Sequence, residues 1–160
     1  MTNFNRFGSV STGTLRSFDL LDAFRDEVDS RGINKDARTS LLCSVVEAIS
    51  EIADDCVTDA FNACEWASEA VNELQDLLNE DLPPFVRFGS HEGDGSDIGY
   101  WFDHDAFEDS VQDGETLKVA DLADAPWFKM PEECHQVAVI SDHGNVSLYT
   151  RSGEHLYSIA

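Results

Sequence analysis

The feature that most constrains this chain is a stretch from about Asn34 to Leu82 that contains neither glycine nor proline. Apolar residues recur through it at alternating steps of three and four, which is the spacing of a helix that buries one face. The residues of this apolar seam are Leu42, Val45, Ile49, Ile52, Cys56, Ala60, Ala63, Ala67, Ala70, Leu74 and Leu77. The stretch therefore predicts helix, as one long element or as two.

The length of this stretch limits how it can fold. As one helix of ~1.5 Å per residue it spans about 65 Å, more than the diameter of a compact domain of this size. We therefore favour two helices, over residues 36–53 and 56–80, with a break at residues 54–58 and an end at Pro83. The alternative is a single rod that dimerises through its seam. Because the seam is so extended, we also predict a homodimer.

The charge of the chain is strongly one-sided, with a formal net charge of -22 over 160 residues. Such a charge argues against DNA, RNA or an anionic membrane as a direct ligand, because each phosphate contact needs a cation. Residues 1–38 hold six basic and six acidic side chains, whereas residues 39–160 hold four basic and twenty-six acidic ones. Aspartate outnumbers glutamate, which also fits an adaptation to molar salt in which the charge serves no partner.

Acidic residues follow the long stretch at helical spacing as well. They form two runs, Glu47, Glu51, Asp55 and Asp59, and then Glu65, Glu69, Glu73, Asp76 and Glu80. Like charges this close destabilise a helix by a few tenths of a kcal/mol per pair, and an ordinary solvated face intersperses lysines. No lysine or arginine lies between Arg38 and Arg87. We therefore predict that these nine carboxylates bind a basic, nucleic-acid-binding host protein or complex.

Ordered carboxylates on a folded scaffold can imitate the phosphates of DNA or RNA. Duplex DNA carries a charge every ~1.7 Å of its axis, whereas the acids of the long stretch give about one per ~6 Å of helix. The stretch alone is too sparse. Imitation therefore requires a second copy, or the acids of residues 92–124, on the same surface.

The order of elements predicts an α+β fold, in which N-terminal amphipathic helices pack on a C-terminal antiparallel sheet of about five to six strands. We expect a flexible lead over residues 1–13, a helical region over 14–82 that begins with a helix ended by Gly32, and a β-rich region over 83–160 packed with it as one domain. Strands are predicted at residues 85–88, 98–102, 116–119, 136–140, 146–150 and 155–159, with a short helix at 105–112 and a proline-punctuated loop at 121–134.

The segment from His91 to Asp105 gathers oxygen ligands of the kind that calcium and magnesium prefer. Counted as an EF-hand from Asp94, it places Ile98 at a ligand position and Asp105 where a glutamate is required. Its carboxylates also repel a phosphate. We therefore expect a solvated turn with no metal and no cofactor, and a calcium- or magnesium-binding module remains an alternative.

Nothing in the sequence matches a specific catalytic motif. Cys134 and His135 are adjacent, so on an extended segment they point to opposite faces and do not form a nucleophile and base pair. The four cysteines show no C-x-x-C pair and are predicted to be free thiols packed as small hydrophobes, as in a reducing cytoplasm. The N-terminus carries no apolar signal sequence, and no segment is apolar enough for a membrane. We predict a cytoplasmic protein that is not an enzyme.

Two segments of the sequence resemble segments of small acidic bacteriophage accessory proteins of uncharacterised function. They are Phe88–Trp101 (FGSHEGDGSDIGYW) and Asp142–Tyr149 (DHGNVSLY). The resemblance covers the C-terminal half and brings no catalytic residues with it. It implies a phage-encoded protein that acts in the host cytoplasm, and accessory proteins of this kind include anti-restriction and anti-CRISPR inhibitors.

These observations predict a non-enzymatic phage-type inhibitor that mimics DNA or RNA and occupies the nucleic-acid-binding surface of a host defence protein. The rival interpretation is an adaptor or inhibitor that recognises its partner by shape. Exposed aromatics such as Trp66, Trp127 and Phe128 then make the contact, and the acidic surface only gives solubility.

Overall fold

A computed structural model of the chain describes residues 4–52 and 55–160, apart from the side chains of residues 52 and 55–58. The fold is α+β, as predicted, and its contacts divide it into two compact units, each with its own sheet. The helical unit comprises Gly8–Leu82 and Arg87–Trp101. Of the described residues, the C-terminal unit comprises 4–7, Pro83–Val86 and Phe102–Ala160.

The helical unit contains the long stretch as three helices rather than two. They are α2 (Ala37–Ile52), α3 (Asp55–Asn62) and α4 (Glu65–Asn79), preceded by α1 (Ser17–Arg31). The break predicted at residues 54–58 begins in a segment outside the described residues, and α3 has already started at Asp55.

A second break, at Ala63–Cys64, was not predicted, and its cause is a contact with α1. The side-chain oxygen of Asn62 accepts the backbone N–H of Phe18 at 2.8 Å, and the rings of Phe18 and Phe61 meet edge to face at 5.9 Å. These contacts hold the end of α3 against the start of α1. The chain then turns through Cys64, which has extended backbone angles and is exposed, so this thiol is not packed as a small hydrophobe.

Helix α1 lies at the centre of the helical unit and packs against both α2 and α4. Its buried residues are Leu20, Leu21, Phe24 and Val28, and those of α4 are Ala67, Ala70, Leu74 and Leu78. Gly32, in the left-handed conformation, ends α1 as predicted. Because α1 covers the seam of α4, that seam no longer requires a second chain. The homodimer stays a prediction.

A three-stranded sheet completes this unit, with β1 (Gly8–Ser11), β2 (Val86–His91) and β3 (Asp94–Phe102) in the order β1-β3-β2. The ring of Phe88 contacts Phe24 of α1 at 5.0 Å, so the helices pack on this sheet. Residues 8–11, which were predicted to belong to a flexible lead, pair antiparallel with β3. The pairing depends on Gly99, where a Cβ atom would lie 2.8 Å from the Gly8 carbonyl carbon and from the Ser9 Cα.

The C-terminal unit holds a four-stranded sheet in the order β4-β5-β6-β7. Its elements are α5 (His104–Gln112), β4 (Thr116–Val119), β5 (Gln136–Ile140), β6 (Val146–Thr150) and β7 (His155–Ile159). Strands β5, β6 and β7 form the predicted antiparallel meander. The prediction of a wholly antiparallel sheet was wrong, because β4 pairs parallel with β5. Residues 120–135 provide the long crossover that a parallel pair requires.

The crossover is held by Arg151, at the turn between β6 and β7. Its guanidinium donates to the carbonyl oxygens of Cys134 at 2.6 Å and Met130 at 2.9 Å, and also to that of Pro131. The side chains of Met130 and Cys134 then pack with Ala125 and Val137 in a buried cluster.

The N-terminal residues join the same unit through β7. The backbone N–H of Phe4 donates to the carbonyl of Leu156 at 2.9 Å, and the ring of Phe7 meets Tyr157 at 5.3 Å. The Tyr157 hydroxyl is buried and donates to the Pro84 carbonyl at 2.6 Å. The unit is therefore closed by residues far apart in the chain.

Candidate functional site

Helix α4 gathers five of the nine predicted partner-binding residues on one face. Glu65 is its first residue and Glu80 its C-cap, and the residues between them that share this face are Glu69, Glu73 and Asp76. Glu73 is half-buried and the other four are exposed. The buried residues of α4 lie on the opposite side of the helix, against α1. This acidic face, called the α4 stripe below, is thus fixed by the packing of the helix that carries it.

The C-terminal end of α4 is anchored by Arg31 of α1. Its guanidinium donates to the carbonyl oxygens of Leu78 at 2.5 Å and Glu80 at 3.2 Å, which the helix itself leaves without partners. It also lies over the ring of Tyr100, 5.7 Å from the ring centre. These contacts tie α1, α4 and β3 together, so the last turn of the α4 stripe is held in place.

An open groove of about 800 Å³ runs between the α4 stripe and the start of α2. It is lined by Asn34, Asp36, Arg38, Thr39, Glu69, Asn72, Glu73, Asp76, Leu77 and Glu80. Among these described lining residues Arg38 is the single cation, and it pairs with Glu73 at 2.8 Å. The groove therefore presents a negative surface that the chain's own arginine neutralises only in part.

The α2 side of the groove begins at a capped helix end. The carboxylate of Asp36 accepts the backbone N–H of Thr39 at 2.7 Å. Hydrogen bonding from the backbone and side chain of Thr39 lowers the pKa of Asp36, so this carboxylate remains ionised to lower pH than usual. Asp36 therefore both caps α2 and adds a charge to the groove.

Beside the groove, and sharing Arg38, Glu69 and Glu73 with it, lies an apolar hollow of about 250 Å³. Its walls are Leu41, Leu42, Val45, Trp66 and Ala70, with Arg38, Glu69 and Glu73 at the rim. Leu41 is 66% exposed and Trp66 is 40% exposed, although both are large apolar side chains. Trp66 was predicted from the sequence as a contact residue, whereas Leu41 and Arg38 were not. Their only signal was their place beside Leu42 at the start of the helix.

The other four predicted partner-binding residues lie elsewhere. Helical geometry places Glu47 and Glu51 on the side of α2 that faces away from the groove. The charge of Glu47 acts instead on Arg25 of α1. Burial lowers the pKa of Arg25, but its hydrogen bond to Asp26 and the nearby acidic charges, which include Glu47, raise that pKa overall.

On α3, the carboxylate of Asp59 pairs with Arg16 at 2.9 Å. The side chain of Asp55 lies outside the part of the chain that the structure describes. The structure therefore brings together Glu65, Glu69, Glu73, Asp76 and Glu80. It does not join Glu47, Glu51 or Asp59 to them in one continuous stripe.

The segment from His91 to Asp105, considered for calcium or magnesium, contains the tight turn between β2 and β3, then β3 itself and the start of α5. The Asp94 carboxylate accepts the backbone N–H of Ser96 at 2.9 Å and its hydroxyl at 2.8 Å, which lowers the pKa of Asp94. Asp103 instead caps α5 by accepting the N–H of Ala106 at 2.9 Å. Over residues 4–52 and 55–160, no three potential ligand side chains are grouped for a metal.

The remaining candidates lie in the C-terminal unit. Cys134 is buried in its apolar cluster, whereas the neighbouring His135 is exposed. Trp127 is half-buried against the same cluster, and Phe128 projects fully from the crossover. Of the three aromatics named for shape recognition, Trp66 and Phe128 are thus on the surface.

No helix in the described parts of the chain has the length and apolar character needed to cross a bilayer. No family model matches the chain, and neither a curated protein nor a solved structure shows significant similarity to it.

Proposed function

We propose that this chain is a non-enzymatic acidic inhibitor, of the anti-restriction or anti-CRISPR class, that occupies the nucleic-acid-binding surface of a basic host protein. The observation that carries the proposal is the α4 stripe, in which five carboxylates share one face of a single anchored helix. Their partner is a cationic protein surface, because a chain of net charge -22 repels nucleic acid itself. The proposed site of action is the cytoplasm of a phage-infected host.

The spacing of the α4 stripe supports imitation of one strand of a nucleic acid. Four intervals over the helix from Glu65 to Glu80 give about one carboxylate per ~5.6 Å, against ~3.4 Å of axis per phosphate in one strand of duplex DNA. The match lies within a factor of about two. The five acids therefore suit a channel that grips a single strand better than one that surrounds a duplex.

A competition experiment tests this proposal once a partner has been captured from host lysate. The parent chain should displace DNA or RNA from that partner. A variant neutralised along the α4 stripe, with Glu65, Glu69, Glu73 and Glu80 changed to Gln and Asp76 to Asn, should lose this activity. Circular dichroism should show an unchanged helix content, because removal of like charges at helical spacing does not destabilise the helix.

The matched control removes the same number of charges from positions outside both the α4 stripe and residues 92–124. It carries the neutral amides at Asp26, Glu132, Glu133, Asp142 and Glu154, all of which are exposed. Equal loss of competition in both variants would show that only net charge matters. A stripe variant that remains folded and still competes as well as the parent would contradict the proposal.

Salt separates the proposal from the halophile interpretation. A complex held by charge should weaken steeply between low and moderate ionic strength. A halophilic fold should instead gain stability in molar potassium chloride. A large rise in melting temperature in molar potassium chloride, with no basic partner found, would contradict the inhibitor proposal. The acidic surface would then be explained by adaptation to salt.

The second candidate function is a shape-recognising adaptor, and the apolar hollow favours it. Leu41 and Trp66 expose apolar surface that the free chain leaves without cover. In an adaptor, partner binding should barely respond to salt and should depend on Trp66. The salt dependence of partner binding therefore discriminates the two functions, and it is measured for the parent chain and for Trp66→Ala at low and moderate ionic strength.

A further inference from the structure

We infer that the groove between α2 and α4 takes a basic amphipathic helix of the partner protein, with an apolar side chain of that helix seated in the hollow. The inference rests on the proposed function and specifies the kind of segment recognised. Its starting point is that the groove and the hollow adjoin, because both are lined by Arg38, Glu69 and Glu73. A single ligand segment can therefore contact the acidic part and the apolar part together.

The size of the hollow favours a side chain over a small molecule. Its volume of about 250 Å³ lies below the about 300–1,000 Å³ of typical small-molecule sites. Its walls include Leu42, Val45 and Ala70, which offer no charged or amide group to orient a polar ligand. One or two aliphatic or aromatic side chains of a protein fit this chemistry, and the exposed surfaces of Leu41 and Trp66 become covered when they bind.

The backbone around the groove favours a helical ligand. Both walls are helices, whose N–H and C=O groups are bonded within the helix except at the ends. An extended peptide would find no strand edge to pair with, and the backbone groups that it buries against the hollow would have no partners. A helix satisfies its backbone internally and presents only side chains, as in other helix-in-groove complexes.

The charge of the groove selects a cationic helix over a second copy of this chain. Asp36, Glu69, Asp76 and Glu80 line the groove together with the Arg38–Glu73 pair. Two copies meeting through this groove would oppose these acids to one another, in chains that each carry a net charge of -22. Arginine or lysine on the flanks of the ligand helix instead pairs with them, and one such cation replaces Arg38 at Glu73.

The test uses the full chain and two stapled helical peptides of 16 residues as probes. The first peptide has leucines at helical spacing and arginines on both flanks. The second has the same composition with the leucines moved off one face. Calorimetry should show that the first peptide binds at least about tenfold more tightly than the second. The reason is that the second peptide cannot place a leucine anchor in the hollow. The indole N–H resonance of Trp66, assigned with Trp66→Phe, should shift on binding.

The chain offers matched control variants for both parts of the site. Leu41→Ser should weaken binding at least about tenfold, whereas Leu15→Ser should leave it unchanged. Leu15 is 64% exposed, close to the 66% of Leu41, and does not line the hollow. Glu69→Gln should weaken binding and flatten its salt dependence, and Glu51→Gln on the far side of α2 should have little effect.

Three results would overturn the inference. One is equal affinity for the two peptides, and another is binding that Leu41→Ser does not change. Neither result bears on charge-driven competition with nucleic acid. The proposed function is tested separately, by the competition assay of the variant neutralised along the α4 stripe. The third is self-association of the free chain in sedimentation experiments that Leu41→Ser abolishes, because the occupant of the groove is then a second copy.

Discussion

Arg38 of α2 pairs with Glu73 of α4 at 2.8 Å across the groove, and the arginine side chain is 76% exposed while that of the glutamate is 25% exposed. An ion pair this open to solvent contributes about 0–1 kcal/mol to folding. The Arg38–Glu73 pair therefore adds little to the stability of the fold. A cation of a partner can replace Arg38 at Glu73 with only a small loss of folding free energy.

We predict that Arg38→Gln changes the free energy of unfolding by less than about 1 kcal/mol and raises the affinity for a cationic partner helix several-fold. The reason is that Glu73 becomes available and the groove gains one unit of negative charge. Urea unfolding and calorimetry measure the two effects. Arg16→Gln is the control, because Arg16 pairs with Asp59 outside the groove and its loss changes the net charge equally. If both variants bind alike, Arg38 has no local role.

A second prediction concerns the close approach of β1 to β3. Gly99→Ala should destabilise the helical unit by at least about 2 kcal/mol, because the new methyl group meets the backbone of Gly8 and Ser9, which cannot yield as a side chain would. Hydrogen exchange should show loss of protection at Ser9. Gly95→Ala is the control on the same strand, since a Cβ atom there has no neighbour within 4 Å. Equal stability of the two variants would show that β1 is not held by this contact.

The third prediction concerns high pH. Burial raises the pKa of Tyr100 to about 12 despite the opposing effect of Arg31. A raised pKa means that folding favours the neutral phenol, so this contribution is complete below the ordinary pKa of about 10 and is lost as the pH rises towards 12. Stability measured by urea unfolding should fall across this window, and less so in Tyr100→Phe. Tyr149→Phe serves as the control. An identical pH slope in all three proteins would contradict the assignment.

A fourth prediction addresses the metal alternative. Calorimetry of chelator-treated protein with calcium or magnesium should show no saturable binding tighter than the millimolar range. The physical reason is that the Asp94 carboxylate is already hydrogen-bonded to Ser96 within a tight hairpin. Micromolar binding that Asp94→Asn abolishes would instead establish a site in this segment.

The strands were largely predictable because their signals are local. The four predicted strands from residue 116 onward match β4 to β7, since short β-type runs alternate there with turn residues. The strand predicted at residues 98–102 is only the second half of β3, which begins at Asp94. The pairing direction of β4 and β5 was not predictable from either strand. It depends on the crossover between them, whose path is set by contacts such as those of Arg151.

The break at Ala63–Cys64 and the strand β1 escaped prediction for another reason. The helix break has no glycine or proline to mark it, and residues 8–11 have no strong β pattern. Each is fixed by contacts with residues distant in the chain. Asn62 bonds to Phe18, and residues 8–11 find an edge only because Gly99 admits their backbone. A tertiary contact outweighs local propensity in both cases.

The candidate site was also predictable only where its signal is local. The α4 stripe was visible in the sequence because it lies within one helix, where a spacing of three and four fixes the face. The opposite wall was not visible, because only the packing of α2 and α4 on α1 brings Arg38 and Leu41 beside that helix.

The hydrogen bond from Phe4 to Leu156 and the contact of Phe7 with Tyr157 also set the earliest time at which the C-terminal unit can close during translation. At roughly 5–20 residues per second, a ribosome reaches β7 roughly 8–30 s after it has made Phe4. During that interval the rings of Phe4 and Phe7 have no β7 to cover them. The C-terminal unit therefore closes only once translation has passed Tyr157, whereas the helical unit has every residue it needs when Trp101 is free of the exit tunnel.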